Sequence, residues 1–218
     1  MDDILKKSGL TDDHWLGGRW DIPNHNEYGF RTSIEMKENR DSIICLGCSF
    51  TYGQSVEKEE SWPEVLGSKI NRDVFNLGRP GGSLDSSYRI LESWLPTIQS
   101  KDVCMLNCFR RREIYMDIRK NFVPIGASFP GYIANSDYSL RNILLTNDIQ
   151  YNLDYNKTLR ALKNLCEEFD TKLHFIDNLE LLKPDSFNFI DVGADGQHPG
   201  PKQQKAFAEA FYDKIQNN

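Results

Sequence analysis

The stretch that most constrains the fold runs over residues 43–53, Ile-Ile-Cys-Leu-Gly-Cys-Ser-Phe-Thr-Tyr-Gly. A short apolar run, rich in β-branched residues and closed by a glycine, reads as a strand buried on both faces. That is the pattern of a parallel sheet rather than of a half-solvated antiparallel one. Parallel strands need helical crossovers, so the rest of the chain must supply amphipathic helices. In open α/β sheets ligands gather outside the carboxyl ends of the strands, and Ser49 is delivered there. The same residues also suit a plain strand-to-helix turn in which a serine caps the next element.

The chain supplies the helices. Ser61-Trp62-Pro63-Glu64 reads as a helix start with Ser61 as cap and Glu64 reaching back to it, followed by Val65, Leu66 and Ile70 on the buried face. A short strand is predicted over 73–77, ending at Gly78-Arg79-Pro80-Gly81-Gly82. From Ser83, the spacing of Leu84, Tyr88, Leu91, Leu95 and Ile98 is helical. A central strand is predicted over 103–106, then Asn107-Cys108-Phe109 and the run Arg110-Arg111-Arg112-Glu113, which reads as a solvated helix start. A helix carries Leu159, Leu162, Leu165, Cys166 and Phe169 inward; a strand follows over 173–176, and 187–190 reads either as a fifth strand or as an extended approach to the loop over 193–200. The last helix opens at Pro201 and buries Phe207, Phe211 and Ile215. Strands alternating with helices predict an α/β fold, a three-layer α/β/α sandwich around a parallel, flavodoxin-like sheet of about five strands.

Residues 41–218 form the main domain in this reading, with an insertion or lid-like loop around 120–150. Residues 1–40 form an ordered arm packed on it, because Trp15, Trp20, Tyr28 and Phe30 are too much aromatic surface for a disordered tail. A net charge of −6 with both signs mixed argues against a dedicated nucleic-acid binder. The start Met1-Asp2-Asp3-Ile4-Leu5-Lys6-Lys7 lacks a secretion-signal layout, and no apolar run reaches the roughly 20 residues of a membrane span, so a cytoplasmic protein is expected. Five cysteines without scaffold spacing suit reduced thiols.

Ser49, the glycine loop 78–82 and the turn carrying Asp195 and His198 all point to the same edge of the sheet. A serine hydroxyl becomes a competent nucleophile when an imidazole takes its proton, and a carboxylate fixes that imidazole's tautomer. Asp195 and His198 stand three residues apart between glycines and a proline, so one tight turn can hold the carboxylate against the ring. A surface loop with an Asx-type turn is the plain alternative.

Gly47-Cys48-Ser49-Phe50-Thr51-Tyr52-Gly53 resembles the first signature block of the SGNH (GDSL-like) hydrolases. Asn76-Leu77-Gly78-Arg79-Pro80-Gly81-Gly82-Ser83 is similar to their second block, and Asp195-Gly196-Gln197-His198-Pro199 to their Asp-x-x-His-Pro block. Trp62-Pro63 sits where many members carry Trp-Pro at a helix start. The likeness runs from about residue 43 to the C-terminus. It implies a serine esterase on a flavodoxin-like sandwich, without metal or organic cofactor. Ser49 would be nucleophile, His198 base and Asp195 its partner, with the backbone N–H groups of Ser49 and Gly81 as oxyanion donors. Two departures stand out: Cys48 replaces the usual aspartate, and the block after the central strand is poorly kept. Asn107 is the side chain placed to complete the oxyanion hole, unless the strand is longer and Arg110 or Arg111 takes that place.

Arg110, Arg111 and Arg79 are also candidates for clamping an anionic group on the substrate, since guanidinium forks suit carboxylate and phosphate. The expected partner is a small-molecule or carbohydrate ester, an O-acetyl group before a long-chain lipid, with no nucleic acid and no membrane. Acyl transfer through the same residues, or a binding or structural module with a decayed site, are the competing readings. The pairs Cys45/Cys48 and Cys104/Cys108 leave a zinc site conceivable, although Cys45 and Cys104 fall inside apolar strands, where a free thiol acts as a small hydrophobe.

Overall fold

The computed structural model describes residues 5–7, 25–107, 111–116, 121–126, 148–177 and 189–217. Its centre is a four-stranded parallel sheet. The strands are β1 (Ile43–Gly47), β2 (Val74–Asn76), β3 (Asp102–Asn107) and β6 (Lys172–Asp177), in the order β2-β1-β3-β6. β4 (Arg111–Met116) and β5 (Asn121–Gly126) form a separate antiparallel pair. Helices α1 (Ser49–Tyr52), α2 (Trp62–Ile70), α3 (Leu84–Ile98), α4 (Asp148–Glu168) and α5 (Pro201–Gln216) connect and cover the sheet.

The period-2 geometry of the strands divides the core in two. Ile44, Leu46, Phe75, Val103 and Met105 pack with Leu91, Trp94 and Leu95 of α3 and Leu162 and Cys166 of α4. Ile43, Cys45, Val74, Cys104, Leu106 and Ile176 pack on the other face with Trp62 and Leu66 of α2 and Phe207 and Phe211 of α5. This is the predicted three-layer sandwich. Register sets the carboxyl edge level: Gly47 pairs with Leu106, and Asn107 with Asp177.

Several local expectations are corrected. The arginine run does not open a helix: Arg111 begins β4, because Glu113 on that strand is held by arginines from two other segments. The 120–150 region contains a strand and the start of α4, which begins at Asp148, earlier than its apolar spacing suggested; residues 127–147 lie outside the described residues. Of the two readings of 187–190, the fifth strand is not seen: Phe189 and Ile190 are in no strand, and 187 and 188 lie outside the described residues. Ser61 is the N-cap of α2 but makes no capping bond; its hydroxyl donates to the Lys58 carbonyl (2.6 Å), offered by a 3₁₀ turn over Lys58–Glu60.

Of the first 40 residues, the described ones lie against the sandwich. Phe30 is fully buried in the α3/α4 core and Tyr28 stacks edge-on against Trp94. Leu5 and Lys7 carbonyls accept from Arg89, and the Lys6 carbonyl from Trp94. Trp15 and Trp20 lie outside the described residues. Among the described residues no helix is long and apolar enough to cross a membrane.

Candidate active site

β1 ends at Gly47, where φ is +149° and a Cβ would lie 2.2 Å from Thr51 Oγ1 and 2.6 Å from the Leu106 carbonyl oxygen, so only glycine fits. The chain then turns into the single-turn helix α1, whose first residue is Ser49. Cys48 caps it, its Sγ accepting from Phe50 N (3.5 Å). Thr51 Oγ1 donates back to the Leu46 carbonyl (3.2 Å), tying the helix to its strand. At the other end Gly53 takes the left-handed conformation (φ 78°), and Arg31 donates to the carbonyls of Tyr52 (3.3 Å), Gly53 (2.6 Å) and Val56 (3.0 Å). A buried arginine from the N-terminal arm therefore clasps the turn that carries Ser49.

The glycine loop closes over the same turn. Asn76 donates to the Thr51 carbonyl (3.0 Å) and accepts from Gly78 N (3.1 Å), while Arg79 N donates to the Gly47 carbonyl (2.9 Å). A Cβ on Gly78 would meet Tyr52 N at 2.5 Å, and one on Gly82 would meet the Gly47 oxygen at 2.9 Å. Gly81 is left-handed (φ 72°), as the tight turn after Pro80 requires. Bare backbone therefore lies against Ser49's helix on this side.

The third piece arrives from the far end of the chain. Asp195 Oδ1 accepts from the backbone N–H groups of Gln197 (2.9 Å) and His198 (3.0 Å), and Oδ2 lies 2.6 Å from His198 Nδ1. Burial pushes the Asp195 carboxyl up, but those two N–H groups and the His198 ring outweigh it and hold the carboxyl below its ordinary value. The whole turn is docked on Ser55: Asp195 N donates to Ser55 Oγ (2.7 Å) and Ala194 N to the Ser55 carbonyl (3.2 Å). The His198 ring stands edge-on to Phe50, centroids 6.1 Å apart. Because Phe50 follows Ser49 directly, the imidazole is brought beside the helix that Ser49 opens.

Ser49 is 4% exposed, and its hydroxyl donates to Cys48 Sγ (3.8 Å). Among the described residues no hydrogen bond joins Ser49 to His198. Asn107, at the carboxyl end of β3, donates to Asp177 Oδ1 (3.4 Å), and Tyr155 donates to Asp177 Oδ2 (2.8 Å).

The arginines divide differently from the expected clamp. Arg79 is 2% exposed and turned away into the β4–β5 pair, bonding Glu113 Oε1 (2.6 Å) and the Phe122 carbonyl (2.8 Å). Arg89 takes the other oxygen of Glu113 (2.7 Å). Arg79 is thus a buried structural ion partner rather than an open fork, a correction that follows from where Glu113 sits. Arg111 is buried on β4, and Arg110 lies outside the described residues.

Cys45 and Cys104 are direct partners across β1 and β3, both fully buried, and burial pushes both thiols well up. They pack as small hydrophobes. Among the described residues no three His, Cys, Asp or Glu side chains meet to hold a metal ion, and Cys108 lies outside them. A cavity of about 570 Å³ lined by Lys101, Asp102 and Lys172 opens at the amino ends of β3 and β6, the opposite edge from Ser49.

Sequence reasoning missed Arg31, Ser55, Tyr155 and Asp177. Each belongs to no motif, and their roles exist only once distant segments meet.

Fold and site together define an α/β/α sandwich with a serine-led turn, a glycine loop and an Asp–His pair converging on one sheet edge. No family model matches the chain, and no curated protein matches it. Among solved structures it is similar to the psychrotrophic esterase EstA of Pseudoalteromonas sp. (16% identity over 81% of this chain and 97% of that one, TM-score 0.42). It is also similar to a member of the lipolytic protein G-D-S-L family from Veillonella parvula (17%, 81% and 99%, 0.40). A third is a Clostridium thermocellum family 3 carbohydrate esterase (16%, 81% and 96%, 0.40).

Proposed function

We propose that this protein is an SGNH-type serine hydrolase that cleaves short acyl esters through an acyl-Ser49 intermediate. The observation that carries the reading is the Asp195–His198 turn, locked internally at three points and docked through Ser55 beside the helix of Ser49. With Nδ1 engaged by the carboxylate, Nε2 is the nitrogen left to act as base. It takes the Ser49 proton as Oγ attacks the ester carbonyl. The oxyanion that forms is held by the N–H groups of Ser49 and Gly81 and by the Asn107 amide. His198 then gives its proton to the leaving alcohol and activates water to release the acid, restoring Ser49. The present partnership of Ser49 with Cys48 is weak, and catalytic hydrogen bonds of this kind are commonly loose until substrate binds. No step needs a metal or organic cofactor.

The substrate class proposed is an O-acetyl or similar short ester on a carbohydrate or other small molecule. The burial of Ser49 favours a second reading, a binding module that retains the fold without turnover. One experiment separates them. Wild-type protein should hydrolyse p-nitrophenyl acetate, and Ser49→Ala should lose that activity with an unchanged circular dichroism spectrum and melting temperature. Equal turnover by the variant overturns the assignment, and no turnover by either protein selects the binding module.

A further inference from the structure

Asn107 and Asp177 form the last rung of the β3–β6 ladder, so their side chains leave the sheet on one face at the carboxyl edge. A strand-end asparagine has a broad χ2, and its amide presents oxygen and nitrogen with almost the same shape. Only one orientation serves an oxyanion. If the carbonyl oxygen faced the developing negative charge, it would repel it. Something must therefore select the NH₂ end.

We infer that Asp177, held in turn by Tyr155, is a positioning residue that selects and orients the Asn107 amide for the oxyanion; this rests on the serine hydrolase reading. Both Asp177 oxygens act as acceptors here, so the carboxyl group pairs with the NH₂ end of Asn107 rather than the carbonyl end. The bond from Asn107 Nδ2 to Asp177 Oδ1 engages the NH₂ end of the amide, and Tyr155 also interacts with Asn107, so the oxyanion takes its N–H in competition with the Tyr155 hydroxyl. Tyr155 reaches from α4 to the other carboxylate oxygen at 2.8 Å, fixing the plane of the carboxylate. Burial, and after it the bond to Asp177, push the Tyr155 hydroxyl well up, so it stays a donor throughout the working pH range. None of the three belongs to the blocks around Ser49, Gly81 or His198. The arrangement accounts for how a chain that lacks a well-kept third block can still present an oxyanion donor after its central strand.

The test is a double-mutant cycle read in kcat and KM on p-nitrophenyl acetate, with Ser49→Ala as the blank. Asn107→Ala should lower kcat by about 10²–10³ with little change in KM, the usual loss for one oxyanion donor. Asp177→Ala should lower kcat by about 10–10², and Asp177→Asn, which keeps an acceptor oxygen, should recover part of it. In an Asn107→Ala background, Asp177→Ala should cost nothing more, because a positioning residue has nothing left to position. Tyr155→Phe, which keeps the ring and removes only the hydroxyl, should repeat the Asp177→Ala pattern at smaller size and guards against Asp177→Ala simply failing to fold. Multiplying losses, a loss in KM alone, or wild-type kcat in a folded Asp177→Ala protein overturns the inference while leaving the Ser49 reading intact. Wild-type turnover no greater than that of Ser49→Ala overturns the hydrolase reading, and this inference with it.

Discussion

Gly78→Ala is the sharpest local test of how the site is built. The substitution adds one methyl group and requires no unusual backbone angle. Its Cβ would lie 2.5 Å from Tyr52 N, 2.8 Å from Thr51 C and 2.9 Å from Thr51 Cβ. The first two are backbone atoms of α1, so no side-chain rotation relieves them. Restoring ordinary contact at about 3.4 Å means separating the glycine loop from α1 by about 0.9 Å. Overpacking of this kind costs about 1–3 kcal/mol of stability, which lowers the melting temperature without unfolding a domain of this size. The catalytic effect should be larger, because Ser49 sits on the displaced helix and Gly81 on the displaced loop. A shift near 1 Å between reacting groups costs up to about 10²-fold. The expected result is a folded protein with kcat for p-nitrophenyl acetate down by about 10–10²-fold. Turnover within twofold of wild type would refute the claim that the loop and α1 are in register for catalysis.

Two further predictions concern stability. Glu113→Ala leaves Arg79 and Arg89, both buried, facing each other without their shared carboxylate; removing one partner of a buried ion pair typically costs about 3–5 kcal/mol, and urea unfolding should show it, with a loss under about 1 kcal/mol contradicting the buried network. Asp195 and Asp102 are both held below the ordinary carboxylate value: at each, burial pushes upward but is outweighed, at Asp195 by backbone N–H groups and His198, and at Asp102 by His174 and Arg72. A carboxyl with a lowered folded-state pKa stabilises the fold above its unfolded value and loses that contribution as pH falls through the folded value. The urea midpoint should therefore drop mainly below about pH 4, less steeply in Asp195→Asn, and an identical acid limb in the variant would contradict the assignment.

The layers were legible in the chain because their signals are local. The apolar runs at 43–47 and 103–106 and the helical spacing from Leu84 to Ile98 each report burial directly, and the structure places strands and a helix there. The Asp195–His198 contact was legible for the same reason, since a turn of four residues closes on itself. What the sequence hid depends on partners distant along the chain. The arginine run at 110–113 looks like a solvated helix start until Arg79 and Arg89 meet Glu113, and only then does an extended strand become the better solution. Arg31 carries no motif, yet it holds three carbonyls around the end of α1. Ser55 is one polar residue in a polar loop, and only folding makes it the dock for the last turn of the site.

The central claim is that His198 and Asp195 make the Ser49 hydroxyl a nucleophile. A fluorophosphonate probe followed by peptide mapping reads this directly, because the reagent bonds to a serine only when a base removes its proton. The adduct should sit on Ser49 and fall by at least about 10²-fold in rate in folded His198→Ala. An adduct elsewhere, or labelling of Ser49 at an unchanged rate without the imidazole, would contradict it.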